Sequence, residues 1–248
     1  MILRSVIKHV RNQEWTAVFL DFLIVVVGVF VGLQVSNWND VRHNETRKAF
    51  ALNALQDEFE MNIEVLQYRY ENLTARNMVE NKLASTISLG ELRGTDKELV
   101  QDALARIMYF GPITISKSSY EALEQSGDLA LIDDQATLMA LNEFNAALEW
   151  AQIQRNGFRT GIAQLADYWR PYVLHSPTDD PRKTIVDYDF TGIVTDRPAS
   201  SALTQVVRMK NIFSGYFPQL IEKAVVACDR IASQTGRPCD RKATKEVQ

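Results

Sequence analysis

A long apolar run near the start of the chain constrains its fold more than any other feature. Residues 16–36 contain almost only apolar side chains. Because an α-helix rises about 1.5 Å per residue, a run of this length can cross the hydrocarbon core of a bilayer, about 30 Å thick. Trp15 and Trp38 bracket the run, and indole rings favour the two membrane interfaces. The sequence therefore predicts one transmembrane helix over residues 16–38, surrounded by membrane lipid.

The short segment before this run predicts a retained signal anchor. Residues 1–15 form a basic tail that carries Arg4, Lys8 and Arg11. The apolar run is longer than that of a cleaved signal peptide, and no small-residue cleavage site follows it. Lysine and arginine counts are equal on the two sides of the run. However, a short basic tail prefers the cytoplasm, and a long domain is translocated largely regardless of charge. We therefore expect a cytoplasmic N-terminus and an extracytoplasmic C-terminal domain, which is periplasmic if the protein is bacterial.

One face of the predicted membrane helix carries small and polar residues at steps of three or four. They are Asp21, Val25, Gly28, Gly32 and Ser36. Gly-x-x-x-Gly spacing lets a second helix approach closely, and a carboxyl group is costly when it faces lipid. We predict that this face contacts another copy of the chain or another membrane protein. The alternative is that Asp21 reaches water near the headgroups and that the glycines are incidental.

Asp21 also permits a more specific hypothesis. A basic tail, a single span with an acidic residue in its inner third, and an outer domain are the arrangement of proton-driven motor subunits. In such a subunit Asp21 would bind and release protons as ions pass. The chain shows no peptidoglycan-binding pattern, and its outer domain is predicted to be helical, which argues against this hypothesis.

The composition and the apolar spacing predict an all-α domain over residues 39–237. The whole chain has only 11 glycines and 7 prolines, and residues 40–89 contain neither. Apolar side chains recur there every three or four positions: Leu52, Leu55, Phe59, Ile63, Leu66, Tyr70 and Leu73. This spacing is typical of one buried helical face. The membrane helix is therefore expected to run on, continuous or briefly broken, to about residue 87.

Two capping patterns predict the next helices. Thr95 with Glu98, and Ser118 with Glu121, have the spacing of a capping box. Gly127 is expected to end the second of these helices in a left-handed conformation.

The remaining chain is predicted to contain two long helical regions separated by a loop. The first region is capped by Asp133 or Asp134 and extends to about residue 169, and the second covers about 198–235, where Pro218 kinks or divides it. The loop, at about residues 171–197, contains three prolines and two short stretches that favour an extended conformation, residues 185–186 and 193–194.

Two cysteines, Cys228 and Cys239, lie eleven positions apart near the C-terminus. An oxidising compartment would let them pair, and the Gly-Arg-Pro sequence between them could turn the chain back. The alternative is two unrelated thiols, one of them buried in a helix. Residues 238–248 are predicted to be a polar tail.

Charge and motif content argue against several functions. The net charge is −4 with both signs interspersed, so the chain has no basic face for nucleic acid. Its histidines, His9, His43 and His175, are too far apart to predict a metal site. The acidic segment 187–192 resembles half of a calcium loop, but its twelfth position is Pro198, which offers no carboxylate. We expect no catalytic residues, no metal and no cofactor.

Three stretches are similar to one family of proteins. Residues 24–39, IVVVGVFVGLQVSNWN, resemble an apolar span that ends in Leu-Gln-Ile-Asn-Asn-Trp-Asn. Residues 119–132 resemble the family's helix-Gly-turn segment, and residues 189–211 match it more weakly. The family consists of uncharacterised bacterial single-span membrane proteins and is classed only as a domain of unknown function. The family is expected to have Glu at the position of Asp21 and Asn at the position of Ser36. The resemblance implies a membrane anchor and a helical outer domain, and it implies no activity.

These observations predict an all-α protein with one N-terminal transmembrane helix and an outer bundle of about five or six helices. The leading hypothesis is an oligomeric interaction or scaffold protein in the bacterial inner membrane. The alternative is a sensory module that binds a small molecule between bundle helices. An apolar cavity with a few convergent polar groups would favour the sensor, and a solid core would favour the scaffold. An enzyme is the third hypothesis and would need a cleft with clustered titratable groups.

Overall fold

The computed structural model describes residues 15–179 and 184–241. The predicted basic tail before residue 15 lies outside the described residues, as does the end of the predicted polar tail, residues 242–248. The structure is 82% helix and 4% strand, which confirms the all-α class. The chain divides into two units, residues 1–50 and 51–248.

The first helix, α1, extends without a break from Trp15 to Leu89. It ends at Gly90, whose φ of 70° is left-handed and favours glycine. The N–H of Gly90 donates to the carbonyl oxygen of Thr86 at 3.1 Å. Of the two expectations, a continuous or a briefly broken helix, the continuous one is correct.

Within the first unit, the apolar part of α1 is exposed along its whole described length. Apolar side chains from Phe19 to Val41 are all exposed, and none is covered by a core. Among the described residues, α1 is the helix that is long and apolar enough to cross a membrane. An N-terminal helix with this property is therefore present.

The second unit contains the rest of α1 and, in its described residues, six further helices. These are α2 (Lys97–Arg106), α3 (Ser118–Ser126), α4 (Gln135–Trp169), α5 (Phe190–Thr195), α6 (Arg197–Ser214) and α7 (Tyr216–Thr235). Short 3₁₀ turns lie at Gly94–Asp96, Asp128–Leu131 and Arg170–Tyr172. Strands β1 (Val173–Pro177) and β2 (Thr184–Tyr188) pair antiparallel, with Val173 opposite Tyr188.

Helices α4, α6 and α7 pack together, and the second-unit part of α1 contributes its apolar face to the same core. Five residues of the predicted face are buried, and Tyr70 and Leu73 are half-buried at its end. The Phe59 ring meets the Phe144 ring of α4 edge-on, with 5.0 Å between centroids. The sequence pattern thus correctly predicted which face of α1 is buried.

The predicted loop at 171–197 has more structure than its composition indicates. Residues 185–186 are extended in β2, as predicted, but residues 193–194 belong to α5 and the extended prediction there is wrong. A carboxylate oxygen of Asp189 accepts from the Gly192 N–H at 2.9 Å and caps this short helix. The same contact explains the acidic segment as a helix cap, not as half of a calcium loop.

Gly192 provides a stability test of this corner. A Cβ added there would lie 2.5 Å from Tyr172 Cδ1 and 2.5 Å from Asp189 Oδ2. The Tyr172 hydroxyl donates to Asp196 at 2.8 Å, so its ring cannot yield freely. We expect Gly192→Ala to lower the free energy of unfolding by about 1–3 kcal/mol because of this overlap. Urea unfolding followed by tryptophan fluorescence would measure the change.

Gly157 is the matched control for this substitution. It lies inside α4, and a Cβ added there meets nothing within 4 Å. Gly157→Ala should leave stability unchanged or raise it by up to about 1 kcal/mol, since alanine favours a helix more than glycine does. Equal effects of the two substitutions would contradict the predicted overlap at Gly192.

Helix starts show where local patterns were insufficient. The Thr95 pattern is wrong, because a 3₁₀ turn precedes α2 and the N-cap residue of α2, Asp96, makes no side-chain capping hydrogen bond. The Ser118 pattern is also wrong, because Ser118 is the first helical residue of α3 and not its cap. Glu58 of α1 supplies that cap instead, accepting from the Ser119 N–H at 2.7 Å. For α4 the predicted cap is confirmed, and Asp134 accepts from the Thr137 N–H at 2.8 Å.

The last helical region divides into two helices, but the proline does not divide it. The boundary lies at Gly215, between α6 and α7. Pro218 lies in the first turn of α7, where its missing N–H costs no helical hydrogen bond. Gly127 and Gly236 end α3 and α7 in the left-handed region, and the first of these two ends was predicted.

Candidate functional site

The predicted membrane-contact stripe lies on one exposed face of α1. Val25, Gly28, Gly32 and Ser36 are all exposed, and a Cβ added at either glycine would meet no atom within 4 Å. The side chains of Asp21 and Trp15 lie outside the described residues, and Trp38 is exposed. The stripe is open for a helix to approach, and its contact with a partner stays a prediction.

The two cysteines form a disulfide, which selects one of the alternatives that the sequence left open. Cys228 lies fully buried in α7 and is bonded to Cys239, with 5.9 Å between their Cα atoms. The Glu60 carboxylate lies within 4.8 Å of both sulfur atoms. Because the sulfurs are bonded to each other, they are not free thiolates, and this cluster offers no metal site in the oxidised protein.

The disulfide is part of a clasp that joins the end of the chain to α1. We define the clasp as residues 56–60 of α1 and residues 235–241. Gln56 is fully buried and donates from Nε2 to the carbonyl oxygen of Arg237 at 2.9 Å. The Gln56 side-chain oxygen, Oε1, accepts from the Thr235 hydroxyl at 2.6 Å. Glu60 accepts from the Asp240 N–H at 3.0 Å. These bonds hold the segment after α7, which includes residues 238–241 of the predicted polar tail.

A cavity of about 280 Å³ lies beside α1, and charged side chains line it. This cluster was not predicted from the sequence. We call this cavity the arginine cleft. It lies between residues 109–112, which are in neither helix nor strand, and residues 68–76 of α1. Its lining residues are Tyr68, Arg69, Asn72, Leu73, Arg76, Tyr109, Gly111, Pro112 and Phe217. The lining contains two arginines and no acidic residue.

The helical geometry of α1 explains why both arginines reach the same cleft. Arg69 and Arg76 are seven residues apart, which is about two turns, so they share one face. Neither forms an ion pair with a carboxylate of the described residues. The Arg76 guanidinium lies over the Tyr109 ring, with its Cζ 5.1 Å from the ring centroid. This cation–π contact holds Arg76 at the cleft while leaving its N–H groups available.

Arg155 of α4 holds the opposite wall of the cleft. Its Nε donates to the Gly111 carbonyl oxygen at 2.8 Å, and its Nη2 donates to the Phe110 carbonyl oxygen at 3.1 Å. Burial lowers the pKa of the Arg155 guanidinium, and the nearby positive charge of Arg159 lowers it further. Arg155 therefore fixes the backbone beside Tyr109.

A buried ion pair lies at the far side of Arg76. An adjoining cavity of about 310 Å³ shares Asn72 and Arg76 with the cleft and is also lined by Glu80. Glu80 is 3% exposed and accepts from Lys210 Nζ of α6 at 2.5 Å, and Lys210 is 6% exposed. Lys210 Nζ also donates to the Arg106 carbonyl oxygen at 3.1 Å. The second Glu80 oxygen, Oε2, is buried and has no hydrogen-bond donor among the described residues.

Burial acts on both members of this pair in opposite directions. Desolvation raises the pKa of Glu80, and the positive charge and hydrogen bond of Lys210 oppose that rise. Desolvation lowers the pKa of Lys210, and Glu80 opposes that fall. Each residue therefore depends on the other to remain charged in a poorly solvated position.

Part of this site left a signal in the sequence. Lys210 occupies a position on the buried apolar face of α6, between Val207 and Phe213, and a charged residue there indicates a buried partner. Nothing in the sequence identified that partner as Glu80, which is 130 residues away. Arg69 and Arg76 resemble ordinary solvated arginines in the sequence. Comparison of the chain with protein-family models, with curated proteins and with solved structures finds no match.

Proposed function

We propose that this chain is a single-pass membrane protein whose helical C-terminal domain serves as an interaction or scaffold module. The observation that carries the proposal is the long apolar part of α1, which no core covers. Exposing apolar surface to water costs about 25 cal/mol per Å², so this segment needs an apolar environment. A lipid bilayer provides one over the predicted span, residues 16–38.

The disulfide supports an extracytoplasmic position for the C-terminal domain. Disulfides persist in oxidising compartments and are rare in the cytosol. The Cys228–Cys239 bond agrees with the orientation inferred from the basic tail. A periplasmic domain on an inner-membrane anchor is the arrangement that we propose, and the resemblance to bacterial single-span proteins implies the same arrangement.

Association through the membrane helix provides the interaction that we propose. Gly28 and Gly32 leave an open surface on α1, and close helix approach is favourable in lipid at such a surface. A second copy of the chain is the partner that we propose first, and another membrane protein is the alternative. The ion-driven motor hypothesis depends on Asp21, whose side chain lies outside the described residues, and it gains no support here.

Substituting both glycines tests this proposal. Full-length chains carrying donor and acceptor dyes would be reconstituted in phosphatidylcholine vesicles, and energy transfer would be measured against the protein-to-lipid ratio. We expect Gly28→Ile with Gly32→Ile to weaken self-association about tenfold or more, because the branched side chains keep the helix backbones apart.

The matched control is Leu23→Ile with Val27→Ile, which changes the opposite face of the same helix. It should leave energy transfer unchanged. Equal association of both variants and the native chain would reject the glycine contact. Release of the native chain from membranes by a carbonate wash would reject the anchor itself.

A small-molecule-binding module is the second candidate function. Buried apolar side chains of α4, α6 and α7 form one core, and this packing favours a scaffold. The arginine cleft at the surface of the bundle nevertheless combines a cavity with convergent polar groups, which is the feature expected of a binding module.

A further inference from the structure

We propose that the arginine cleft binds a small organic carboxylate, with the carboxylate between Arg69 and Arg76 and the apolar part of the molecule against Tyr109 and Pro112. This inference rests on the second candidate function, for which it names the ligand class, and it does not depend on membrane anchoring.

The charges that line the cleft determine the sign of the ligand. Arg69 and Arg76 both line the cavity, and neither forms an ion pair with a described carboxylate. Two guanidinium groups that form no ion pair with a described carboxylate, placed on one concave surface, attract an anion. Guanidinium groups also present paired N–H donors that match the geometry of a carboxylate.

The arrangement of the walls reduces the entropy cost of binding. Arg76 is held over the Tyr109 ring, and Arg155 fixes the backbone at Phe110 and Gly111 by two hydrogen bonds. Side chains that are already ordered lose less conformational freedom when a ligand arrives. The cleft is therefore largely formed before binding.

The size and composition of the cavity limit the rest of the ligand. Its volume of about 280 Å³ is just below the usual range for drug-sized molecules, so a single ring or a short chain fits. Leu73, Pro112 and Phe217 provide apolar surface beside the arginines. The ligand class is thus a carboxylate with one aromatic ring or a few methylene groups.

The neighbouring acidic groups favour one negative charge over two. Glu80 and Asp102 line the adjoining cavity, which shares Arg76 with the cleft. Lys210 pairs with Glu80, and Arg106 pairs with Asp102 at 2.8 Å. Their carboxylates still reduce the positive potential at Arg76, which disfavours a phosphate dianion relative to a carboxylate.

Titration of the full-length chain with benzoate tests the proposal. The protein would be held in phosphatidylcholine nanodiscs, and binding would be measured by isothermal titration calorimetry at constant ionic strength. We expect saturable binding of benzoate and at least about tenfold weaker binding of benzamide, which has the same shape but no charge. Arg76→Gln should lower the benzoate affinity about tenfold or more.

Arg93→Gln is the matched control, because Arg93 is an exposed arginine that does not line the cleft. It should bind benzoate as the native chain does, and thermal unfolding should confirm that both variants are folded. Equal binding of benzoate and benzamide, or no saturable benzoate binding to the native chain, would overturn the proposal.

A second arm distinguishes a soluble ligand from a lipid headgroup. The benzoate titration would be repeated in nanodiscs that contain phosphatidylglycerol. Unchanged benzoate affinity supports a soluble carboxylate as the ligand. Loss of benzoate binding in these nanodiscs would reassign the cleft to anionic headgroups and overturn the assignment to a soluble molecule. Neither arm depends on helix association, so a failure of the glycine experiment leaves this inference intact.

Discussion

Replacing Lys210 by methionine should lower the free energy of unfolding of the helical bundle by about 3–5 kcal/mol, because it leaves a buried carboxylate without its partner. Lys210 Nζ lies 2.5 Å from Glu80 Oε1, and both side chains are almost fully buried. Methionine fills most of the same volume, so a cavity contributes little to the loss. Urea unfolding in detergent, followed by tryptophan fluorescence, to which the buried Trp169 contributes, would measure the loss.

A double variant separates the unpaired charge from loss of packing. Glu80→Leu with Lys210→Met removes both charges and should recover native stability or exceed it, since a buried ion pair often contributes little net stability. If the double variant were as unstable as Lys210→Met alone, packing and not the uncompensated charge would be the cause.

The loss in free energy of unfolding caused by Lys210→Met should also depend on pH. Without Lys210, burial raises the pKa of Glu80 further above its ordinary value of 4.5, so the folded state prefers the protonated carboxyl. A group whose pKa is raised on folding contributes stability that is present below the unfolded pKa and is lost as the pH rises through the folded pKa. The difference in free energy of unfolding between the Lys210→Met variant and the native chain should therefore become smaller as the pH falls toward 4.5. A deficit that is constant with pH would contradict this assignment.

After Lys210→Met, removing the disulfide should cause the largest loss in free energy of unfolding. Closing a loop with a cysteine separation of 11 restricts the unfolded chain by about 3 kcal/mol in the loop-entropy model. We expect Cys228→Ala with Cys239→Ala to lower the free energy of unfolding by about that amount. Urea unfolding under non-reducing conditions would measure the loss.

The reductant provides an internal control for the cysteine variant. Dithiothreitol should lower the stability of the native chain by a similar amount and should not change the double alanine variant. When cells are lysed in denaturant that contains a maleimide reagent, the chain should be labelled only if it was reduced first. Labelling without reduction would show free thiols and would contradict the proposed oxidising compartment.

The clasp explains why the bond matters beyond chain entropy. Gln56 and Glu60 of α1 hydrogen-bond the backbone at Arg237, Pro238 and Asp240. Arg237 also pairs with Asp57 at 2.5 Å. Reducing the disulfide would leave these polar contacts to hold the segment alone, and exposed ion pairs contribute little.

Structural features that depend on short-range sequence patterns could be predicted from the sequence. The apolar run at 16–36 and the buried face from Leu52 to Leu66 depend only on the helical repeat and on hydrophobicity. The Gly127 and Asp134 helix ends were predicted for a similar reason, since their partners lie within the same or the adjacent turn. The predicted caps at Thr95 and Ser118 were wrong because bonds outside the local segment decided those helix starts.

The candidate site could not be predicted in the same way. Glu58, the cap of α3, is 61 residues from Ser119, and Lys210 is 130 residues from Glu80. Spacing along the chain carries no information about such partners. Arg69 lines the same cleft as Tyr109 and Pro112 only because a loop returns to α1, where Arg155 of α4 holds that loop in place.

The sequence by itself determined that the chain is helical, that one segment is apolar and long enough to cross a membrane, and which face of α1 is buried. These properties follow from the composition and the helical repeat, which act within a few turns. Only the tertiary structure decided that Cys228 bonds Cys239, that Lys210 meets Glu80 and that two arginines share a cleft. Those contacts form when distant segments close on a common core, and their energies depend on burial that no single segment has alone.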